Sequence, residues 1–552
     1  MAGALVLVNG RVWSPDGVGA GCDAIVVADG RIAAVTRSAE ARDMAGPRAH
    51  VIDLKGRLAI PAFGDAHVHP VGGGLESLRC NLVGQRSRPE YLDTIARYAR
   101  ALGPDDWVLG GGWSMEAFPG GAPSAADLEP VAAGRPVFLP NRDHHSAWVS
   151  PAALARAGIT RDTPDPADGR IERDERGEPS GALHEGAMRL VSRVVPPPSA
   201  ADLAAGLRVG QAHLHARGVT HWQDAIVGAA PDIGIPDAYG TYGAAVAEGW
   251  LTAHVNAALW WDRTRDAGQI ADLLGRRERA ASGRFRATSV KIMMDGVCET
   301  LTAAMTEPYH GRPAGHEHRG RLFISPEEVA EAVRLLSREG FQVHFHALGD
   351  RAVHVALDAL AHAGGRPADL RHHLAHLQFI RPGDLDRFRD LGAVANFQPL
   401  WACHDPQMDD LTLPIVGRER ATWQYKIGTL TRRGTRIAFG SDWPVSSADP
   451  LQEIHVAVNR LLSERLGRPG TAETDRPFLP DEAITVAQAL TAFTAGVAYV
   501  NHREADLGSL RPGHLADIAV LDHDIRTIPP AEIGSTRVDL TVAGGEFVHG
   551  EE

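Results

Sequence analysis

Two histidines spaced two residues apart put both imidazoles on one face of a strand, a spacing that suits a metal ion. This chain has 26 histidines in 552 residues and four such pairs: His67/His69, His213/His215, His316/His318 and His344/His346. Chance gives about one pair at this content, so spacing alone does not choose among them. Context does. His67 and His69 close the stretch "AFGDAHVHP" (62–70), directly after the apolar run Leu58-Ala59-Ile60. Four later strand-like runs also end on groups that could hold a cation. "VKIMMDG" carries Lys291 and Asp295, "QVHFHA" ends near His346, "RHHLAH" ends at His376 and "RIAFGSD" ends at Asp442.

The alternation of side chains along a strand tests each of these. Val290, Ile292 and Met294 share one apolar face, which leaves Lys291, Met293 and Asp295 on the other. Val343 and Phe345 oppose His344 and His346, and Ile437 and Phe439 oppose Ala438, Gly440 and Asp442. The polar groups all fall on the face away from the apolar one. A lysine held inside a sheet is costly if charged and unpaired, so it pairs with an acid, loses its proton or becomes a reactive amine. An ion pair with Asp295 is the rival reading for Lys291. His344 lies one step deeper than His346 and fits a supporting role. His372 and His373 read as structural or surface residues, His213/His215 as a helix face and His316/His318 as a loop.

The elements that must position these groups are short strands separated by helical patterns. The strands are 58–67, 218–225, 252–260, 287–295, 341–347, 371–376, 392–398 and 435–442. Between two of them, "SPEEVAEAVRLLSREG" (325–340) has a Ser-Pro start, early acids and Gly340 as a stop. Eight strands in alternation with helices predict an α/β chain with a (β/α)8 TIM-like barrel, whose functional groups gather at the C-terminal strand ends. About 150 residues separate the first strand from the second, far more than the roughly 30 of one βα unit. An α/β insertion over 75–200 accounts for them, with "RVVPPPSAADL" as its exit linker. Both chain ends are β-rich. "ALVLVNGRVW" (4–13) turns at Asn9-Gly10 and "AIVVADGRIAAV" at Asp29-Gly30, two hairpin signals, and the tail has similar short strands. The expected organisation is a small β-sandwich from 1–57 and 500–552, a barrel over 58–499, and the 75–200 insertion over its mouth.

Composition narrows the function classes. The net charge of −13 argues against nucleic-acid binding. No apolar run reaches the roughly 18 residues of a membrane span, and the first residues lack the basic region of a secretory leader. Cys22, Cys80, Cys298 and Cys403 are scattered and form neither a disulfide framework nor a Cys-x-x-Cys zinc site. A cytoplasmic protein is expected, in which any metal is held by His, Lys and carboxylates.

Taken in order, "DAHVHP", "VKIMMDG", "HFHALGDRAV", "RHHLAHLQ" and "FGSDWPV" resemble the amidohydrolase superfamily. They are most similar to its amidohydrolase-3 branch, which includes YtcJ-like proteins and N-substituted formamide deformylases. "RDHHSAWVSPAAL", "GALHEGA", "DGVCETLTAAMTEPY" and "DLGSLRPGHLADIAVLD" extend the likeness over nearly the whole chain. The resemblance implies one or two Zn ions per chain, with metal ligands His67, His69, Lys291, His346, His376 and Asp442. Lys291, carboxylated by CO2, would bridge the ions. Asp442 would be the catalytic base and acid, taking a proton from the attacking water and passing it to the leaving nitrogen.

The resemblance also implies substrate-binding roles under the insertion. His145 would polarise a carbonyl or hold a polar end, and Trp113 and Trp148 would form an apolar wall. Glu185 matches a family pattern, and Asp295 lies beside the site. "DGVCETLTAAM" departs from the family's usual loop after the lysine, which points to a different substrate. The expected activity is hydrolysis of a small-molecule amide or N-substituted formamide. Deamination of an amino-substituted ring is the alternative, and a non-catalytic scaffold of the same fold a remote one. Members often form homodimers.

Overall fold

Eight short parallel strands form one sheet in sequential order. They are β1 (Phe63–Val68), β2 (Val219–Val227), β3 (His254–Trp260), β4 (Phe285–Met293), β5 (Gln342–Ala347), β6 (His373–His376), β7 (Val394–Phe397) and β8 (Ile437–Phe439). The computed structural model describes residues 4–230, 233–280, 283–310, 318–364, 369–466 and 476–550. The sheet curls into a nearly closed barrel. Past the end of β8, the Asp442 N–H donates to His67 O at 2.7 Å, and the His69 N–H donates to Trp443 O at 2.9 Å. The (β/α)8 expectation therefore holds, and the apolar faces read from the sequence (Val290, Ile292, Val343, Phe345, Phe439) all enter the main core between barrel and helices.

Register carries the ligands to one level. Lys291 pairs across with His344 and Met293 with His346, while Ala347 sits beside His376. The helix Pro326–Arg338 starts at Ser325-Pro326 as its sequence predicts, and the structure adds a reciprocal cap between Ser325 and Glu328.

Two local expectations fail. The run 58–67 is not one strand. Leu58–Pro61 pairs with Ile518–Leu521 in a separate five-stranded sheet, and the chain enters the barrel only at Phe63. Between them the Ala62 N–H is spent on Asp517 O, so the ladder changes partner there. Asn9-Gly10 likewise makes no hairpin. Leu5–Val8 pairs with Ala24–Ala28 and His50–Asp53, whereas Arg11–Val12 pairs with Leu58 and Ala59 in the other sheet. The turn passes the chain between the two sheets, and a Cβ at Gly10 would lie 2.5 Å from Leu54 Cδ1. Asp29-Gly30, both at positive φ, does close a hairpin.

The two terminal sheets share a core of Leu7, Ile25, Val27, Ile518, Val520 and Val542. Between β1 and β2 lies a six-stranded sheet built from residues 80–185 with an apolar core on each face. The chain leaves it through Pro196–Pro198 into the helix Ala200–His215, whose N-terminus is capped reciprocally by Ser199 and Asp202.

Candidate active site

The C-terminal end of the barrel gathers His67, His69, Lys291, His346, His376 and Asp442 around one cavity of about 370 Å³. Asp442 lies three residues beyond β8, at φ 53°. Its Oδ1 is 3.3 Å from His67 Nε2 and 3.0 Å from His69 Nε2, and its Oδ2 is 4.0 Å from His376 Nδ1. Donor atoms of His67, His69 and Asp442 all fall within 4.8 Å of one another. Burial opposes ionisation of Asp442, yet the surrounding histidines hold its carboxyl well below the usual range.

Two of the histidine ligands are aimed by a neighbour. His67 is backed by His344, whose Nε2 is 2.9 Å from His67 Nδ1, so His67 presents Nε2. Asp65 ties β1 to β8. It accepts from His67 N–H and Ser441 N–H at 3.0 Å each and from Ser441 Oγ at 2.6 Å, while burial pushes it up to about 7. His376 is set by a chain of amides. Asn396 Nδ2 donates to Ala66 O, Gln398 Nε2 donates to Asn396 Oδ1, and Gln398 Oε1 accepts from His376 Nδ1 at 2.9 Å. That order places the proton on Nδ1 and the lone pair on Nε2. Trp401 stacks on the same ring at 5.3 Å.

Lys291 is 2% exposed, and its Nζ is 3.4 Å from His67 Nε2 and 3.5 Å from His344 Nε2. It forms no ion pair with Asp295. Burial lowers it to about 7 against the opposing pull of Asp442. Burial also holds His67, His346 and His376 well below their ordinary value, with neighbouring cations adding to it. Neutral imidazoles are the form that ligates a metal. His346 Nε2 is buried with no hydrogen-bond partner. Neutral histidines, a buried amine without an acidic partner and one ionised carboxylate converging on a cavity are a donor set that fits a divalent cation.

His145 reaches the cavity from the insertion. Its Nδ1 faces both oxygens of Glu185, at 2.9 and 3.0 Å, and Glu185 Oε1 also accepts from Thr302 Oγ1 at 2.7 Å. Burial alone would lower His145, but the Glu185 carboxylate outweighs it and raises the ring to about 9. His145 thus faces the cavity as a cation, 5.3 Å between ring centroids from His346.

Four sequence candidates do not line the cavity: Glu185, which acts on it only through His145, and Trp113, Trp148 and Asp295. Trp113 and Trp148 are wholly buried in the core of the inserted sheet, their indole N–H groups donating to Leu139 O and Ser124 O. They are packing, enclosed by Tyr91, Ile95, Leu128 and Ala132 of the insertion's own helices. Asp295 spends its carboxylate on the N–H groups of Ala304, Leu348 and Gly349 at 2.8, 3.1 and 2.9 Å. The strand has already ended at Met293, so the alternation that placed Asp295 with Lys291 no longer applies. The remaining histidines take local roles. His372 accepts from Val343 N–H, His215 bonds to Val219 O and Thr252, and His213 stacks on Trp443. His316 lies outside the described residues.

The structure adds wall residues that sequence reasoning passed over. Asp224, near the end of β2, accepts from Tyr242 Oη at 2.7 Å and is pushed up to about 6 by burial. The strand-end rule applied to β2 would have found it. Glu76 pairs with His144 at 3.0 Å across the join between barrel and insertion, a contact with no local sequence signal. Arg79 and the three prolines of the exit linker line the mouth, and Leu75, Phe138, Ile226, Ile233, Met293 and Val297 make most of the wall apolar.

Comparison with known proteins agrees with this architecture. Residues 50–549 match the model described as "Amidohydrolase family". The chain is 28% identical to the putative amidohydrolase YtcJ of Bacillus subtilis, over 96% of both chains. It is 27% identical to the N-substituted formamide deformylase of Arthrobacter pascens, over 98% of this chain and 97% of that one. A crystal structure of an uncharacterised metal-dependent hydrolase from Pyrococcus furiosus superposes with a TM-score of 0.69 at 27% identity, covering 95% of this chain and 100% of the other. Among the described residues, no helix is long and apolar enough to cross a membrane.

Proposed function

Because the chain belongs to the amidohydrolase family, we propose that it is a metal-dependent hydrolase that opens a non-peptide C–N bond in a small molecule, an amide or N-substituted formamide. The observation that carries this reading is the convergence of His67, His69 and Asp442 within 4.8 Å at the floor of a largely apolar cavity. His67, His69 and Asp442 would hold one zinc ion. Lys291, His346 and His376 would hold a second if Lys291 is carboxylated, which its low proton affinity and lack of an acidic partner favour. When bound, the metal supplies Lewis-acid polarisation and lowers the pKa of a water.

The protein's own groups supply the rest. Asp442 is placed to accept a proton from the attacking water as the new C–O bond forms. It then returns that proton to the nitrogen as the C–N bond breaks, yielding an acid and an amine. His145, kept protonated by Glu185, offers an N–H to the carbonyl oxygen where negative charge develops. The apolar wall places these polar groups in a surrounding of low dielectric, which strengthens their interactions.

A panel of N-formyl, N-acyl and cyclic amides, with an amino-substituted ring included, tests this on zinc-loaded protein. Release of formate or another acid is expected. Ammonia with a ring ketone instead would assign a deaminase. Asp442→Asn is expected to lower kcat by about 10²-fold or more, and near-normal turnover in that variant would remove Asp442 from its role.

A further inference from the structure

The opposite, N-terminal end of the barrel holds a second cluster, one of arginines packed against buried histidines. A void of about 10 Å³ lies there, lined by His221 of β2, His254 and Asn256 of β3, Arg286 of β4, and Asn501 and Arg503 beyond the last helix. Arg503 is 8% exposed, and its Nε has no hydrogen-bond acceptor among the described residues. Its Nη2 approaches His254 Nδ1 at 3.2 Å, while Arg284 Nη1 approaches His254 Nε2 at 3.4 Å and also donates to Thr252 O.

His254 cannot satisfy both arginines. Burial, with Arg503 and Arg284 beside it, lowers the ring to about 2, so it is neutral and has a single acceptor nitrogen. Two guanidinium donors thus face one lone pair, and one contact sets N–H against N–H. His221 is equally short of partners: it is buried with neither ring nitrogen hydrogen-bonded. The fold makes room for it, since a Cβ at Gly64 would lie 2.3 Å from His221 Nε2. Asp506 and Asp517 act on Arg503 only through longer-range attraction. Asp506 is paired with Arg31, and Asp517 Oδ1 accepts from Gly544 N–H, while Asp517 Oδ2 is buried without a partner and makes no hydrogen bond to either arginine. Among the described residues, Arg284, Arg286 and Arg503 make no ion pair.

We propose that this void binds one small monovalent anion of chloride size, held by Arg503 and His221 and offsetting part of the charge of the arginines around it. The void has room for a single monatomic ion and is too small for the tetrahedral phosphate or sulfate. A halide only accepts hydrogen bonds, which is what a cluster with surplus donors lacks, whereas a water would bring two more donors. Lying at the N-terminal face, the site serves stability and not the chemistry at the other end. The anion links β2, β3 and β4 to the segment that leads into the terminal sheets.

Thermal unfolding of the full, metal-loaded chain tests this, in sodium chloride or bromide against sodium gluconate at equal ionic strength. A saturable rise in Tm of ~1–3 °C with halide is expected. A crystal soaked in bromide is expected to show an anomalous peak between Arg503 and His221. Asn501→Asp keeps the acceptor oxygen that Gln223 and Asn256 engage and turns the amide nitrogen into a built-in acceptor. This variant is expected to be more stable in gluconate and to lose the halide response. Equal Tm in bromide and gluconate, a water without anomalous signal at the void, or a full halide response in Asn501→Asp would each overturn the proposal.

Discussion

Glu185→Gln isolates the electrostatics of the pair that roofs the cavity. Glutamine keeps the size of the side chain and an oxygen for Thr302, but removes the charge that faces His145 Nδ1 at 2.9–3.0 Å. His145 is raised from 6.5 to about 9 in the folded protein, in spite of its burial. A pKa raised on folding means that the folded state binds the proton more tightly. The resulting stability is therefore fully present below about 6.5 and is lost as pH climbs through about 9. The shift corresponds to about 3 kcal/mol at the acid end. Without the carboxylate, burial dominates and His145 becomes neutral. Urea unfolding of wild type and Glu185→Gln between pH 6 and 9.5 is the assay, read as the difference between the two proteins. The wild type is expected to be more stable by about 3 kcal/mol at pH 6, with the gap closing by up to about 1.4 kcal/mol per pH unit above 6.5. A constant gap across this range would refute the assignment of a protonated His145, because a purely steric defect has no such slope.

Three further outcomes separate packing from chemistry. Trp113→Phe is expected to cost about 2–3 kcal/mol in urea unfolding, through lost volume and the abandoned Leu139 carbonyl, and to leave KM within about twofold; a large rise in KM would return Trp113 to the substrate wall. Asp295→Asn sets an amide nitrogen against one of three backbone donors, so stability is expected to fall by about 2–4 kcal/mol, read by the same unfolding assay. Lys291→Ala is expected to lower zinc content and turnover together, with partial rescue by short carboxylic acids. Unchanged zinc per chain, measured by elemental analysis, would remove Lys291 from the metal site.

Much of the barrel is legible because each strand is a short apolar run whose period of two separates packing residues from inward ones. That rule holds for Lys291, His344 and His346, which lie inside β4 and β5. It lapses where a strand stops. Asp295 and Asp442 both follow the last residue of their strands, and only Asp442 returns to the cavity, at a left-handed φ that no alternation foretells. Long-range packing is the other blind spot. Trp113 and Trp148 sit in segments that border the site, but the inserted sheet turns their faces into its own core. Glu76 and His144 meet only because the insertion folds back over the helix after β1. Asn9-Gly10 has turn chemistry that serves a hairpin or a crossover equally, and which sheet takes each strand is decided by partners elsewhere in the chain.

The central claim is that His67, His69 and Asp442 form a metal centre. Its most direct test is elemental analysis of protein stripped with chelator and reloaded with zinc and bicarbonate, beside the variants His69→Ala and His67→Ala. About one to two equivalents of zinc per chain are expected in the wild type, with both variants losing the ion that Asp442 shares. Well under one equivalent in reloaded wild type, or undiminished zinc in both histidine variants, would contradict the account.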